Sequence, residues 1–200
     1  MQTSTNYSPS MHPYLPPLGS EALTTIHRGG LVLLPTANLW QVVTHLHDTA
    51  AIDRLLALCP PSSFNRPELL FYDLDLMRSW VPNLHPKLET LLSYHRRPLT
   101  LLIEGCPKAP ASLRDVNGRV AIRLIQDSFC YRLGEDLELP LVAALAQAPG
   151  TQVIPNRFGV IRSDVLRGVD YVVQRRQKDI LGHAPAVVIT IDDEDEIVFL

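Results

Sequence analysis

Cysteine is scarce in this chain: Cys59, Cys106 and Cys130 are the only three, widely spaced and without a CxxC pair. An odd, scattered set of thiols supplies neither a disulfide framework nor a zinc-ligand spacing, and it suits a reducing compartment. Aromatic residues make up 6% of the 200 residues and do not interleave with the arginines, so a stacking platform for single-stranded nucleic acid is not indicated. No apolar run approaches the roughly 20 residues that a membrane-spanning helix needs. The first twenty residues have no basic start and no apolar signal core, and carry Pro13, Pro16 and Pro17 among Ser, Thr and Tyr. Charge of one sign is not in excess either. A formal net charge of −3 argues against a general nucleic-acid coat or a membrane-surface protein, while leaving room for a local basic patch. The expectation is a cytoplasmic protein, with no membrane and no DNA partner, and an irregular N-terminal arm over residues 1–19.

What the chain does have is core material, at 46% hydrophobic and 20% charged residues. That suits one folded unit over residues 20–200 better than two. Residues 20–28 predict a short helix in which Ser20 caps, Leu23 and Ile26 share a face, and Gly29-Gly30 ends the run. Residues 31–34 are a continuous apolar strand stopped by Pro35. A second helix over 49–58 puts Ile52, Leu55 and Leu56 on one face and Asp53-Arg54 outside. After the turn cluster 59–67 come a strand at 69–72 and helices at 74–80 and 87–94, divided by Pro82 and Pro86. Strands follow at 99–104, at 120–124 behind the Asn117-Gly118 turn, and at 139–144. The segment 164–174 precedes a closing strand at 187–191. The acidic turn 192–196 then leads into 197–200 as a terminal hairpin. Loose alternation of strands and helices, with no repeat and no linker, reads as one α/β domain with a mixed sheet.

The order of helix, Gly-Gly, apolar strand and Pro-Thr, here Gly29-Gly30-Leu31-Val32-Leu33-Leu34-Pro35-Thr36, followed by a helix ending in Leu-Leu-x-Leu, resembles the YrdC-like family. Four further motifs are similar to that family's: Arg97-Pro98-Leu99-Thr100, the strand 120–124 with its single Arg123, Leu139-Pro140-Leu141-Val142, and Pro185-Ala186-Val187-Val188-Ile189. The family includes enzymes that make threonylcarbamoyl-adenylate from threonine, bicarbonate and ATP for a tRNA modification, and YciO-type paralogues. The resemblance implies a YrdC-like α/β domain, with helices packed around a twisted mixed sheet and a concave cavity. It implies ATP and Mg as cofactors if the chain is enzymatic.

The departures from the family pattern fall on its polar positions. Ala37 and Trp40-Gln41 follow the Pro-Thr where the family has an acidic or polar residue and Tyr-Gly. Its Lys-x-Arg falls on Cys59-Pro60-Pro61, and its Ser-x-Asn on Leu145-Ala146-Gln147. Its Ser-Thr falls on Ala186-Val187, and its strand-closing aspartate on Thr190. Adenylate formation needs cations on the triphosphate and donors that align the reacting groups. Each lost donor commonly costs about 2.7–4 kcal/mol in the transition state. The expectation is therefore a nucleotide-, RNA- or protein-binding module without synthase activity. The alternative is an ATP-dependent L-threonylcarbamoyladenylate synthase-like enzyme that uses substituted residues such as Arg66, Arg97 and Gln147. A purely structural or oligomer-forming role is a third reading.

Candidate phosphate or nucleotide ligands are Thr36, Arg66, Arg97, Thr100 and Arg123, which could grip an anion if they converge. No catalytic residue and no metal ligand is assigned. Each candidate also has a plain structural role open to it. Thr36 could cap a turn and Thr100 fill a strand face, and the anion that Arg123 needs between Ile122 and Leu124 could be a carboxylate of the protein itself. Arg96-Arg97, and Arg175-Arg176 with Lys178, could rim an RNA site or simply be solvated. His45 and His47 share a strand face but lack a third ligand, and Asp48 beside them fits a helix start. Cys59 has no neighbouring base in sequence, so a nucleophilic thiol is unsupported. An open cavity with converging Arg66, Arg97 and Arg123 would favour a phosphate ligand. Filling by Trp40, Leu145 and Val187 would mean a closed site.

Overall fold

The computed structural model describes residues 17–63, 65–182 and 184–200. Most of the arm expected over 1–19 lies outside the described residues, and residues 17–19 already belong to the first helix, α1 (Pro17–His27). Gly29 ends that helix in the left-handed region at φ +72°, which favours glycine, and its N–H bonds Ile26 O at 3.0 Å. Gly30 packs so tightly that a Cβ there would stand 2.5 Å from Thr25 Cγ2.

Among the described residues nine strands form one mixed sheet: β1 (Val32–Pro35), β2 (Trp40–Thr44), β3 (Glu68–Phe71), β4 (Leu99–Ile103), β5 (Val120–Leu124), β6 (Leu141–Leu145), β7 (Tyr171–Val172), β8 (Val187–Ile191) and β9 (Ile197–Phe199). Their order is β7-β1-β2-β6-β3-β5-β4-β8-β9. The pairs β1–β7, β3–β5 and β4–β8 are parallel and the rest antiparallel. The remaining helices are α2 (Thr49–Leu58), α3 (Leu74–Trp80), α4 (Pro86–Tyr94), α5 (Ser128–Leu137) and α6 (Ser163–Gly168).

Side chains alternate across the strands with period two, and the sheet separates two apolar clusters. Leu33, Val42, Leu69, Phe71, Leu101, Ile122 and Ile189 pack with Ile52 and Leu55 of α2, Met77 and Trp80 of α3, and Leu88 of α4. On the other face Val32, Leu34, Val43, Leu70 and Ala143 pack with Ala22 and Ile26 of α1 and Phe129, Leu133 and Leu137 of α5.

Two elements are absent from the sequence reading. β2 is buried at all five positions, and its polar Gln41 and Thr44 break the apolar run by which a fully buried strand is recognised. α5 carries its signal openly: Asp127 accepts from Cys130 N at 2.9 Å as N-cap, and Phe129, Cys130, Leu133 and Leu137 fall on one face. The segment 164–174 resolves into α6 and β7. The terminal hairpin forms as expected, with Ile189 opposite Phe199. Trp40 sits in the core with no exposure, its ring 5.2 Å from that of Phe158.

Candidate functional site

The register of the central strands assembles a polar cluster on the sheet face shared with α1 and α5. Arg123 of β5 stands opposite Leu70 of β3 and Thr100 of β4, while Glu68 lies two residues before Leu70 and so shares its face. Gln41 of β2 joins them by its side chain. The Glu68 carboxylate accepts from Gln41 Nε2 at 2.7 Å and from Thr100 Oγ1 at 2.9 Å, and pairs with Arg123 Nη2 at 3.0 Å. Arg123 donates further to Gln41 Oε1 at 2.6 Å and Asn38 Oδ1 at 3.2 Å. The Arg123 and Glu68 side chains keep only 6% and 8% of their exposure. The anion facing Arg123 is thus a carboxylate of the chain. Removing either partner of such a pair leaves a buried, uncompensated charge, a loss of about 3–5 kcal/mol.

This cluster floors a cavity of about 310 Å³, walled by Asn38, Ser63, Arg66, Leu145, Pro185, Ala186, Val188 and Leu200. The cavity is open. Of the three residues that would have filled it, Leu145 lines the wall, Trp40 is in the core, and Val187 packs against the larger apolar cluster from the opposite face of β8. Arg66 is half-buried and has no hydrogen bond or ion pair among the described residues. It is therefore the one uncompensated cation among the residues that line the cavity.

Of the five sequence candidates, Arg66, Thr100 and Arg123 meet at this cavity. Arg97 does not: it is exposed and absent from the cavity wall, and its carbonyl accepts from Gln126 Nε2 at 3.2 Å. Its place just ahead of β4 turns it outward, so the three arginines do not converge. Thr36 closes a turn, donating from Oγ1 to Leu39 O at 2.8 Å and from its N–H to the same oxygen at 2.9 Å. It borders only a cleft of about 10 Å³ beside Arg123. That turn delivers Asn38 to the cavity. Glu68 and Asn38 are missing from the sequence reading, which has Gln41 only as a departure from the family pattern. Glu68 was legible as a carboxylate leading directly into an apolar strand, a position that demands a buried cationic partner.

Three of the substituted positions, Cys59, Gln147 and Thr190, are buried or bonded within the fold. Cys59 is fully buried and burial pushes its thiol up to about 12. Gln147 donates to Val153 O at 3.2 Å, and Thr190 to Leu102 O at 2.8 Å. Arg175 lies over the Phe129 ring at 5.0 Å, and Arg176 bonds Asp179 and Thr36 O. Both members of that basic doublet are thereby tied to the fold.

His45 and His47 leave β2 as a turn rather than sharing a strand face, and Asp48 caps α2 through Ala51 N at 2.9 Å. The structure brings His27 to 6.1 Å from the His45 ring, with His47 at 5.7 Å. His45 Nδ1 accepts from His47 N at 3.1 Å, which places the proton of the neutral ring on Nε2 and removes it as a ligand atom. No group of three ligating side chains among the described residues is arranged to hold a metal ion. No helix among them is long and apolar enough to cross a membrane.

Compared with known proteins, residues 24–200 match the Sua5/YciO/YrdC family model, described as "Telomere recombination". No curated protein matches by sequence. Among solved structures, E. coli YciO superposes with a TM-score of 0.78 at 19% identity, over 92% of this chain and 87% of its own. P. abyssi Sua5, solved with L-threonine, gives 0.75 at 20% identity over 91% of this chain, which spans 53% of the Sua5 chain. MTH1692 of Methanobacterium thermoautotrophicum gives 0.65 at 23% identity, over 95% and 86%. With a nine-stranded mixed sheet, the expected motifs in their places and a family match across nearly the whole length, the chain belongs to the Sua5/YciO/YrdC family, known for threonylcarbamoyl-adenylate synthesis and RNA binding.

Proposed function

We propose that this chain is a ligand-binding member of its family that does not synthesise threonylcarbamoyl-adenylate, and that its cavity takes a small ligand bearing one phosphate or carboxylate group, a mononucleotide among them. The observation that carries this reading is the closed Arg123–Glu68 pair. It sums to zero charge and leaves Arg66 as the cation to meet a ligand. A triphosphate in a phosphoryl- or adenylyl-transfer site is ordinarily held by several cations and a metal ion. One guanidinium matches one anionic group, which it can engage with two parallel N–H donors. Asn38 and Ser63 supply polar contacts around it, while Leu145, Ala186 and Val188 offer apolar surface for the remainder of the ligand. The buried, unpaired thiols fit the cytoplasm as its location.

The test is calorimetry with inorganic phosphate, AMP and ATP-Mg on the full chain. The reading expects phosphate and AMP to bind, Arg66→Ala to abolish that binding, and ATP-Mg to bind no more tightly than AMP. A synthase is the second reading, favoured by the open cavity and by the L-threonine that P. abyssi Sua5 holds in its structure. It would require Mg with ATP, and release of pyrophosphate in the presence of threonine and bicarbonate. RNA binding, and with it a part in tRNA modification, would rest on the exposed Arg96 and Arg97. It predicts an affinity for tRNA that falls steeply with salt.

A further inference from the structure

Arg66 borders two cavities. Besides the one over Glu68 and Thr100 it lines a neighbour of about 270 Å³, whose walls include Pro61, Pro67 and Leu113. The register sets the two side by side on one sheet face. Thr100 and Arg123, partners across β4 and β5, floor the first; Leu102 and Ala121, the next partners on that face, floor the second. The floors are two residues apart along the strands, about 7 Å at roughly 3.3 Å per residue. Leu102 and Ala121 are buried yet belong to neither apolar cluster of the core.

The second cavity differs from the first in charge. Asp115 and Arg119 in its wall cancel: the carboxylate accepts from Arg119 Nε and pairs with Nη2, each at 2.9 Å, and it also accepts from the backbone N–H groups of Asn117 and Arg119. Arg114 is held differently. It donates to the carbonyls of Gly118 at 3.2 Å, Cys106 at 2.7 Å and Ala109 at 3.2 Å, and it has no carboxylate partner among the described residues. Carbonyls orient a guanidinium but carry no net charge, and three such bonds do not exhaust its N–H donors. Arg66 and Arg114 thus leave the second cavity with an excess of two positive charges. The first has an excess of one, because Arg123 there is paired with Glu68.

We infer that the second cavity seats the ligand's anionic group as a phosphomonoester dianion, held by Arg66 and Arg114, and that the first cavity takes the body to which this phosphate is attached. Charge decides between the candidate anions. A phosphomonoester carries about −1.5 to −2 at pH 7 and matches both guanidinium groups. A carboxylate, or a phosphodiester such as an internal phosphate of RNA, carries a single charge and leaves one guanidinium unmatched. Ser112 lines the same cavity and brings a hydroxyl donor, and the apolar floor strengthens each electrostatic contact above it. Asn38 and Ser63, in the wall of the first cavity, then meet the body of the ligand. The inference rests on the proposed anion site. It narrows the anion to a phosphomonoester, places it on the second-cavity side of Arg66, and adds Arg114 as a specificity-determining residue.

Calorimetry on the full chain with AMP and with its methyl phosphodiester, between about pH 5 and 7.5, tests this, because the second ionisation of a phosphomonoester lies near 6. The charged groups around the phosphate are Arg66, Arg114, Arg119 and Asp115 in the second cavity, with Glu68 and Arg123 in the first, and no histidine among the described residues lines either. AMP should bind roughly tenfold more weakly at pH 5 than at pH 7.5, following the loss of its dianion. The diester should bind at least about tenfold more weakly than AMP at pH 7.5 and show no such pH dependence. Arg114→Gln should weaken AMP and bring its affinity close to that of the diester. Because Arg114 also braces the segment 106–118, a second variant is needed. Ala121→Leu fills the floor of the second cavity, keeps every charge, and should weaken AMP by a similar factor. Equal affinities for AMP and the diester at pH 7.5, or AMP binding unmoved by Ala121→Leu, would overturn the inference. AMP binding that vanishes in Arg66→Ala yet ignores the ester methyl, the pH and Ala121→Leu puts the anion in the first cavity: the anion site then stands and the second-cavity seat falls. If neither AMP nor phosphate binds the native protein, both fall.

Discussion

Replacing Arg123 by methionine removes the cation that faces Glu68 and leaves a carboxylate of 8% exposure with only Gln41 and Thr100 as hydrogen-bond donors. The expected loss is about 3–5 kcal/mol. At about 2–4 °C per kcal/mol for a chain of this size, the melting temperature should fall by roughly 6–20 °C. Glu68→Gln, which strands the guanidinium instead, should cost a similar amount. The double variant carries no buried charge, and the new amide can still accept from Thr100, so it should be more stable than either single variant. Urea unfolding of all four proteins completes the cycle, and the coupling between the two sites should be favourable by more than about 1 kcal/mol. Additive losses in the double variant would refute the reasoning. So would an Arg123→Met protein of native stability that has lost affinity for phosphate, because Arg123 would then belong to the ligand and not to Glu68.

Other features carry their own expectations. All three thiols are buried and burial raises each, Cys59 to about 12, so the native protein should resist Ellman's reagent at pH 8 and release three thiols only in denaturant. Burial, followed by the neighbouring His47 and His27, lowers His45 below its ordinary 6.5. The unfolded chain therefore binds more protons there, and the His45 contribution is complete above about pH 6.5 and lost as pH falls toward the folded value. His45→Gln should flatten the decline in melting temperature between pH 7.5 and 5. Gly29→Ala meets both a left-handed backbone and the Asp48 carboxylate, whose Oδ2 stands 1.9 Å from the added Cβ position. Strain of about 1–2 kcal/mol and disturbance of the α2 cap, itself worth about 0.5–2 kcal/mol, should appear as reduced stability in urea.

Most of the fold was legible because local signals and tertiary demands agree along the chain. Gly29-Gly30 stops a helix where φ turns positive, Asp48 caps where a periodic helix begins, and apolar runs at 31–34, 99–103 and 120–124 are buried strands. β2 escaped because Gln41 and Thr44 belong to buried hydrogen bonds, with Glu68 and with Gly30 O, that no local pattern announces. The candidate site was half legible. Arg123 in an apolar strand demanded an anion, but its partner lies 55 positions earlier and only the β3–β5 register joins them. Arg97 failed for the converse reason: a basic residue ahead of a strand says nothing about which way it points. Arg66 was named from the sequence, but its weight comes only with the cavity, where Arg123, the other arginine in the wall, is paired with Glu68.

The central claim, a ligand-binding module with one free guanidinium in place of a synthase, is tested most directly by a pyrophosphate-release assay with ATP-Mg, threonine and bicarbonate on the full chain, run beside phosphate calorimetry. The account predicts no pyrophosphate above the protein-free control, together with phosphate binding that vanishes in Arg66→Ala. Sustained pyrophosphate release that depends on threonine and bicarbonate would contradict it.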